Sequence, residues 1–140
     1  MTIRGAVWTV ALSAVVWLLC AVLAINAVHA EDVYNATDAA LAISQAADTY
    51  GVPESRLWRV ARCEAPGIEP GTLDPYAVGD SGHSFGLFQL NDRSTGLLAH
   101  FHSLGYGSAF DPYEAAEYFA RVLSGEFAAQ GITWQRWSCR

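Results

Sequence analysis

The run Arg59-Val-Ala-Arg-Cys-Glu64 ends in a carboxylic acid, and a loop later the chain reads Gly79-Asp-Ser-Gly-His-Ser-Phe-Gly-Leu-Phe-Gln-Leu-Asn91. Glu64 stands seven residues after Leu57 and four after Val60, so on a helix it projects from the apolar stripe. Arg59 and Arg62 fall on the opposite side. A carboxyl placed there loses water, which raises its pKa, and no helix arginine offsets the rise. Such an acid keeps its proton near neutral pH. That property is what protonation of the oxygen leaving an anomeric carbon requires, as in cleavage of a glycosidic bond. The bland alternative is a solvated acid at a helix end.

The second segment holds the other chemical candidates. Asp80 sits in a glycine-rich loop, as a turn former or as a second carboxylate working with Glu64. Gln89 is polar within an apolar run and needs a partner, for which sugar hydroxyls qualify. Ser84, Phe88, Gln89 and Asn91 are the residues expected to meet a substrate, although Phe85, Phe88 and Leu90 also read as core. Asp74-Pro75 reads as a turn. His83, His100 and His102 suggest metal by type only, because His100 and His102 do not share a helix face. No metal and no cofactor are expected. Trp134 and Trp137 suit either a glycan groove or packing against helices.

The elements that must position these residues are mainly helical. A first helix starts near Thr37-Asp38 and runs to Tyr50, with Ile43, Ala46, Ala47 and Tyr50 on one face and Gly51 as its stop. Pro53 fits the first turn of a second helix carrying Leu57, Val60, Ala61 and Glu64. From Ala65 to Ser84 the chain carries Pro66, Gly67, Pro70, Gly71, Pro75, Gly79 and Gly82, a density that predicts a loop with a rudimentary hairpin. Phe85 to Leu90 is a short apolar stretch. Leu97, Leu98, Phe101 and Leu104 mark a third helix ending at Gly105. Asp111-Pro-Tyr-Glu114 resembles a capping box that opens a fourth helix bearing Ala116, Phe119, Ala120 and Leu123, stopped by Gly125.

Length and composition set the frame. The 140 residues leave room for one domain, 37–140, after an N-terminal segment, 1–30, and a short linker, 31–36. Gly5 to Val28 carries no charge. That is longer than the roughly 7–15 residues of a signal core and enough to span a bilayer of about 30 Å. Cleavage after Val28-His29-Ala30 and retention as a membrane anchor through residues 5–28 both stay open. Either way Arg4 places the remainder outside the cytoplasm. Cys20, preceded by Leu19, lacks the small neighbour of a lipoprotein signal. Cys63 and Cys139 are then expected to pair in an exported domain. The bridge closes a loop of about 75 residues, worth roughly 4 kcal/mol in the chain-entropy model. The chain has no lysine, and its eight arginines face 14 acids for a net charge of −6. That balance argues against nucleic acid as a partner. No repeat or low-complexity tract is present, and a monomer is expected.

Glu64, the gap to Ser84, and Ser84-Phe-Gly-Leu-Phe-Gln89 resemble the signature of the lysozyme-like lytic transglycosylases of the soluble type. The correspondence runs from about Ala46 to Leu104. It implies an α+β lysozyme-like fold, peptidoglycan strands as substrate, Glu64 as catalytic acid and base, and Gln89 beside the sugar. Where that family usually has serine after the glutamate, this chain has Ala65. The family's tyrosine-asparagine motif is not visible, and Tyr113 and Tyr118 are open stand-ins. Gly79-Asp80, Phe85-Gly-Leu-Phe-Gln-Leu-Asn91 and Arg93-Ser94 are also similar to goose-type lysozymes. That likeness implies a water-holding role for Asp80 and puts Asn91 at one of their acidic positions. The implied reaction is cleavage of the N-acetylmuramic acid to N-acetylglucosamine bond. Its products are 1,6-anhydro ends by the transglycosylase route, or reducing ends if Asp80 activates water. The rival from another class is a non-catalytic glycan-binding domain on the same scaffold.

Overall fold

The computed structural model describes residues 38–139; the expectations for the N-terminal segment, the linker and Cys20 lie outside them. Helix α1 covers 38–50 and buries Ile43, Ala46 and Ala47. Gly51 leaves the helix at φ +61°. The Val52 N–H closes onto the Ala47 carbonyl at 3.1 Å, the bond expected of a left-handed stop. Helix α2, Glu54–Glu64, buries Leu57, Val60 and Ala61, with Pro53 at the cap position, one residue before the first turn. Pro66 decides where α2 ends. The residue before a proline is pushed out of helical conformation, and Ala65 sits at φ −137°, ψ 60°. Glu64 is therefore the last helical residue.

The glycine- and proline-rich stretch folds into a small clip and then a sheet. Pro66 and Leu73 form an isolated antiparallel bridge, and the Asp74 N–H returns to the Ala65 carbonyl at 3.0 Å. Strands β1 (Val78–Gly79), β2 (Ser84–Phe85) and β3 (Leu90–Asn91) form an antiparallel sheet in sequence order. Gly79 faces Ser84, and Ser84 faces Asn91, so one row crosses all three strands. The apolar stretch from Phe85 to Leu90 is thus split between two strands. Its turn bends at Gly86, φ +74°, where an added Cβ would lie 1.8 Å from the Ala109 carbonyl oxygen.

Helix α3 is Leu97–Ser103 and α4 is Pro112–Ser124. The Asp111 carboxylate accepts from the Tyr113 and Glu114 N–H groups, which is half of the expected capping box. The other half is not made: Glu114 Oε2 turns to the Gly107 and Ser108 N–H groups, both at 2.8 Å. Gly125 ends α4 at φ +85°. Two 3-10 turns, Ala128–Gln130 and Trp134–Arg136, lead into the tail. The tail is fixed by Trp137, which is 3 % exposed. Its ring meets Phe119 edge-on at 4.7 Å, and its Nε1–H donates to the Phe88 carbonyl at 2.5 Å. The described residues therefore form a mixed α+β domain with four α-helices, one small sheet and the Cys63–Cys139 disulfide.

Candidate functional site

Glu64 and Asp80 line one cleft of about 240 Å³ together with Ser84, Gln89, Asn91 and the tail residues Arg136 to Ser138. The end of α2 supplies one wall and the turn after β1 the other. Glu64 is half-buried, and its Oε1 accepts from the Ser138 hydroxyl at 3.3 Å and the Cys139 N–H at 3.4 Å. Both bonds are long. Burial holds the Glu64 carboxyl above the usual range; the Cys139 and Ser138 bonds pull it down, and the Asp80 charge pushes it up. Burial dominates, as the placement of Glu64 on the apolar stripe implies.

Asp80 is held from one side. Its Oδ2 accepts from the Ser84 hydroxyl at 2.7 Å and the Asn91 amide at 3.2 Å. Among the described residues no donor reaches Oδ1. The turn carries backbone strain: Asp80 and Ser81 stand at φ 48° and 56°, a region non-glycine residues seldom adopt. Register explains the triad. Ser84 and Asn91 are opposite one another in the sheet, so their side chains leave on the same face. Asn91 Nδ2 also donates to Ser84 Oγ at 3.0 Å, while its Oδ1 accepts from the Arg93 and Ser94 N–H groups at 2.8 and 2.7 Å.

These bonds change the roles expected for four residues. Ser84 and Asn91 are buried at 3 % and 6 % exposure with their polar atoms engaged, so they position Asp80. Gln89 lines the cleft, but its Nε2 donates to the Ala77 and Gly86 carbonyls at 3.1 and 3.0 Å. Its Oε1 lies over Gly79, where an added Cβ would be 2.2 Å away. Gly79 is required for that approach, and only Oε1 of Gln89 is left to meet a ligand. Phe88 does not meet one: it is fully buried and stacked on Phe119 at 4.5 Å, because the turn from Gly86 to Gln89 points it into the core. Tyr118 is likewise buried and bonded to His100 Nδ1 at 3.0 Å, with burial pushing its hydroxyl up to about 12.

Sequence reasoning missed Ser138 and Arg136. Ser138 had a readable signal, since a bridge from Cys63 to Cys139 brings the residue before Cys139 beside Glu64. Arg136 had none. Its guanidinium donates to the Gly131 and Thr95 carbonyls, a long-range arrangement no local pattern reveals. His83 pairs with Asp92 at 3.0 Å, outside the cleft lining.

Comparison with protein-family models, with curated proteins and with solved structures finds no match to this chain.

Proposed function

We propose that this protein cleaves the β-1,4 bond between N-acetylmuramic acid and N-acetylglucosamine in peptidoglycan, as an exported lysozyme-like lytic transglycosylase. The reading rests on Glu64: a half-buried carboxyl, raised above its usual range by burial and served among the described residues by long hydrogen bonds, on the wall of a polar cleft. Protonated Glu64 gives its proton to the oxygen leaving C1, and an oxocarbenium-like centre develops there. The neighbouring N-acetyl group stabilises C1. Glu64, now a carboxylate, takes the proton of the sugar's own 6-hydroxyl as O6 bonds to C1. The product is a 1,6-anhydro end, and one acid serves both steps. Ser138 gives Glu64 a hydroxyl of the kind absent at Ala65.

One observation favours a second reading, hydrolysis. Asp80 is fastened through Oδ2 by Ser84 and Asn91, with no donor at Oδ1 among the described residues, which suits a carboxylate that activates water. The same bonds also tie the strained turn at Asp80 to β3, a structural role that needs no catalysis. Mass analysis of products from purified sacculi decides. The expected result is 1,6-anhydro muropeptides, with Asp80→Asn turning over within a fewfold of wild type. Reducing-end products, with Asp80→Asn crippled, would make the enzyme a hydrolase. Binding of strands without turnover would make it a glycan-binding domain.

A further inference from the structure

We propose that the outer face of α2 is a second binding site, for a linear acidic polysaccharide. Arg59 and Arg62 line an open groove of about 650 Å³ with Ser55, Trp58 and Cys63. The groove lies on the side of the helix away from Leu57, Val60 and Ala61, which are buried. Arg56, Arg59 and Arg62 follow one another at three-residue spacing. Like charges at that spacing repel, and Arg56 in the first turn opposes the positive end of the helix. The chain carries a net charge of −6, yet this one face gathers three cations at repelling spacing, of which only Arg62, in the last turn, suits the helix dipole. An external anion is the group that relieves that repulsion.

The cations are also arranged for a ligand. The Arg62 guanidinium lies 4.8 Å from the centre of the Trp58 ring, and Arg56 lies 5.4 Å from that of Trp134. Trp58 is in turn held by its Nε1–H to Glu54 Oε1 at 2.9 Å. Guanidinium groups held on rings lose less freedom when they bind. Arg59, between them, makes no ion pair among the described residues. The charged face is short, and the acidic remainder of the domain opposes a long nucleic acid. The choice of a polysaccharide among polyanions rests on the glycan-cleaving reading of Glu64. Cys63 lines the groove and the next residue, Glu64, lines the cleft. An acidic polymer held here, where it accompanies peptidoglycan, keeps the cleft near the strands it is proposed to cut by raising their effective concentration.

The full chain carrying Glu64→Gln is titrated with fluorescent oligogalacturonate, so that binding is read without cleavage. The expected result is binding that weakens as salt rises. It should be at least about fivefold weaker in Arg59→Gln/Arg62→Gln, the loss of two exposed ion pairs, and partly restored by lysine at both positions, which returns the charge without the ring-held guanidinium. Thermal melts check that both double variants fold. Failure to bind, equal binding of the neutral methyl-esterified oligomer, or unchanged affinity of the glutamine double variant would overturn the proposal. Tighter binding of single-stranded DNA or of anionic phospholipid vesicles would do the same. Turnover of sacculi by the wild-type chain is scored separately, so a failed glycan-cleaving reading is told apart from a failed groove.

Discussion

Glu64 and Glu117 are both drawn partly into the protein, and their surroundings serve them in opposite ways. Glu117, on α4, accepts from the Tyr50 and Tyr106 hydroxyls at 2.8 and 2.9 Å. Those donors come from α1 and from the chain before α4, and Arg121 adds a bond to Tyr106 at 2.9 Å. Burial pushes Tyr106 up to about 12, so its hydroxyl stays a donor at every ordinary pH. Glu64 instead receives two bonds of 3.3 and 3.4 Å from a tail attached through Cys139. One acid joins elements through two short bonds. The other is desolvated and poorly paired, which is the condition for holding and passing a proton. Burial alone therefore does not single out an acid for catalysis; the role proposed for Glu64 rests on burial with weak partners.

The largest effect that separates the two sites should come from the disulfide. Its loss in Cys63→Ser/Cys139→Ser should lower stability by about 4 kcal/mol, the chain-entropy value for a loop this long. It should also release Ser138 and Cys139 from Glu64 while leaving the Glu117 cluster in place. Urea denaturation gives the first quantity. Unchanged stability, or two alkylatable thiols in wild-type protein prepared under oxidising conditions, would remove the tail from its fastening role.

Next comes Glu64→Gln, expected to lower turnover of sacculi at least about a hundredfold, the lower end for acid catalysis, or about 2.7 kcal/mol of barrier. Wild-type activity should also persist to higher pH than an ordinary glutamate acid allows, because the Glu64 carboxyl is raised by burial. A pH–rate profile falling away in the usual carboxylate range would contradict this. Glu117→Ala should do the reverse. It leaves the Tyr50 and Tyr106 O–H donors without their acceptor, costing about 2 kcal/mol, and leaves turnover per folded molecule unchanged. If Glu117→Ala lost activity at full stability, the contrast between the two acids would collapse.

The contrast was only half legible in the sequence. Local signals were sufficient for α1 to α4, because Gly51, Pro66, Asp111 and Gly125 act within a turn of where they stand. They also placed Glu64 on the apolar stripe, which is the cause of its raised pKa. The Glu117 cluster was not foreseen, since Tyr50 reaches Glu117 across 67 residues. The same limit hid Arg136. Phe88 was misjudged as a substrate contact for a different reason. The stretch from Phe85 to Leu90 looks like one strand, but Gly86 to Gln89 form a turn, with φ +74° at Gly86 and +46° at Gln89, that carries Phe88 into the core.

The smallest effect tests the electrostatic half of the comparison directly. A carboxyl whose folded pKa lies above its unfolded value contributes stability that is fully present below the unfolded pKa. That contribution is lost as pH rises through the folded value. Glu64 meets this condition, being raised from 4.5 by burial. Glu64→Gln has no such proton and still offers an oxygen to Ser138 and Cys139. The variant should therefore melt slightly above wild type at neutral pH, with a gain under about 1 kcal/mol because solvent screens a half-exposed group. The gap should close as pH falls below about 4.5, where wild-type Glu64 is neutral in both states. Melting curves across that range are the check. A gap that stays constant with pH would mean that Glu64 carries no burial penalty, and the distinction from Glu117 would then rest on partners alone.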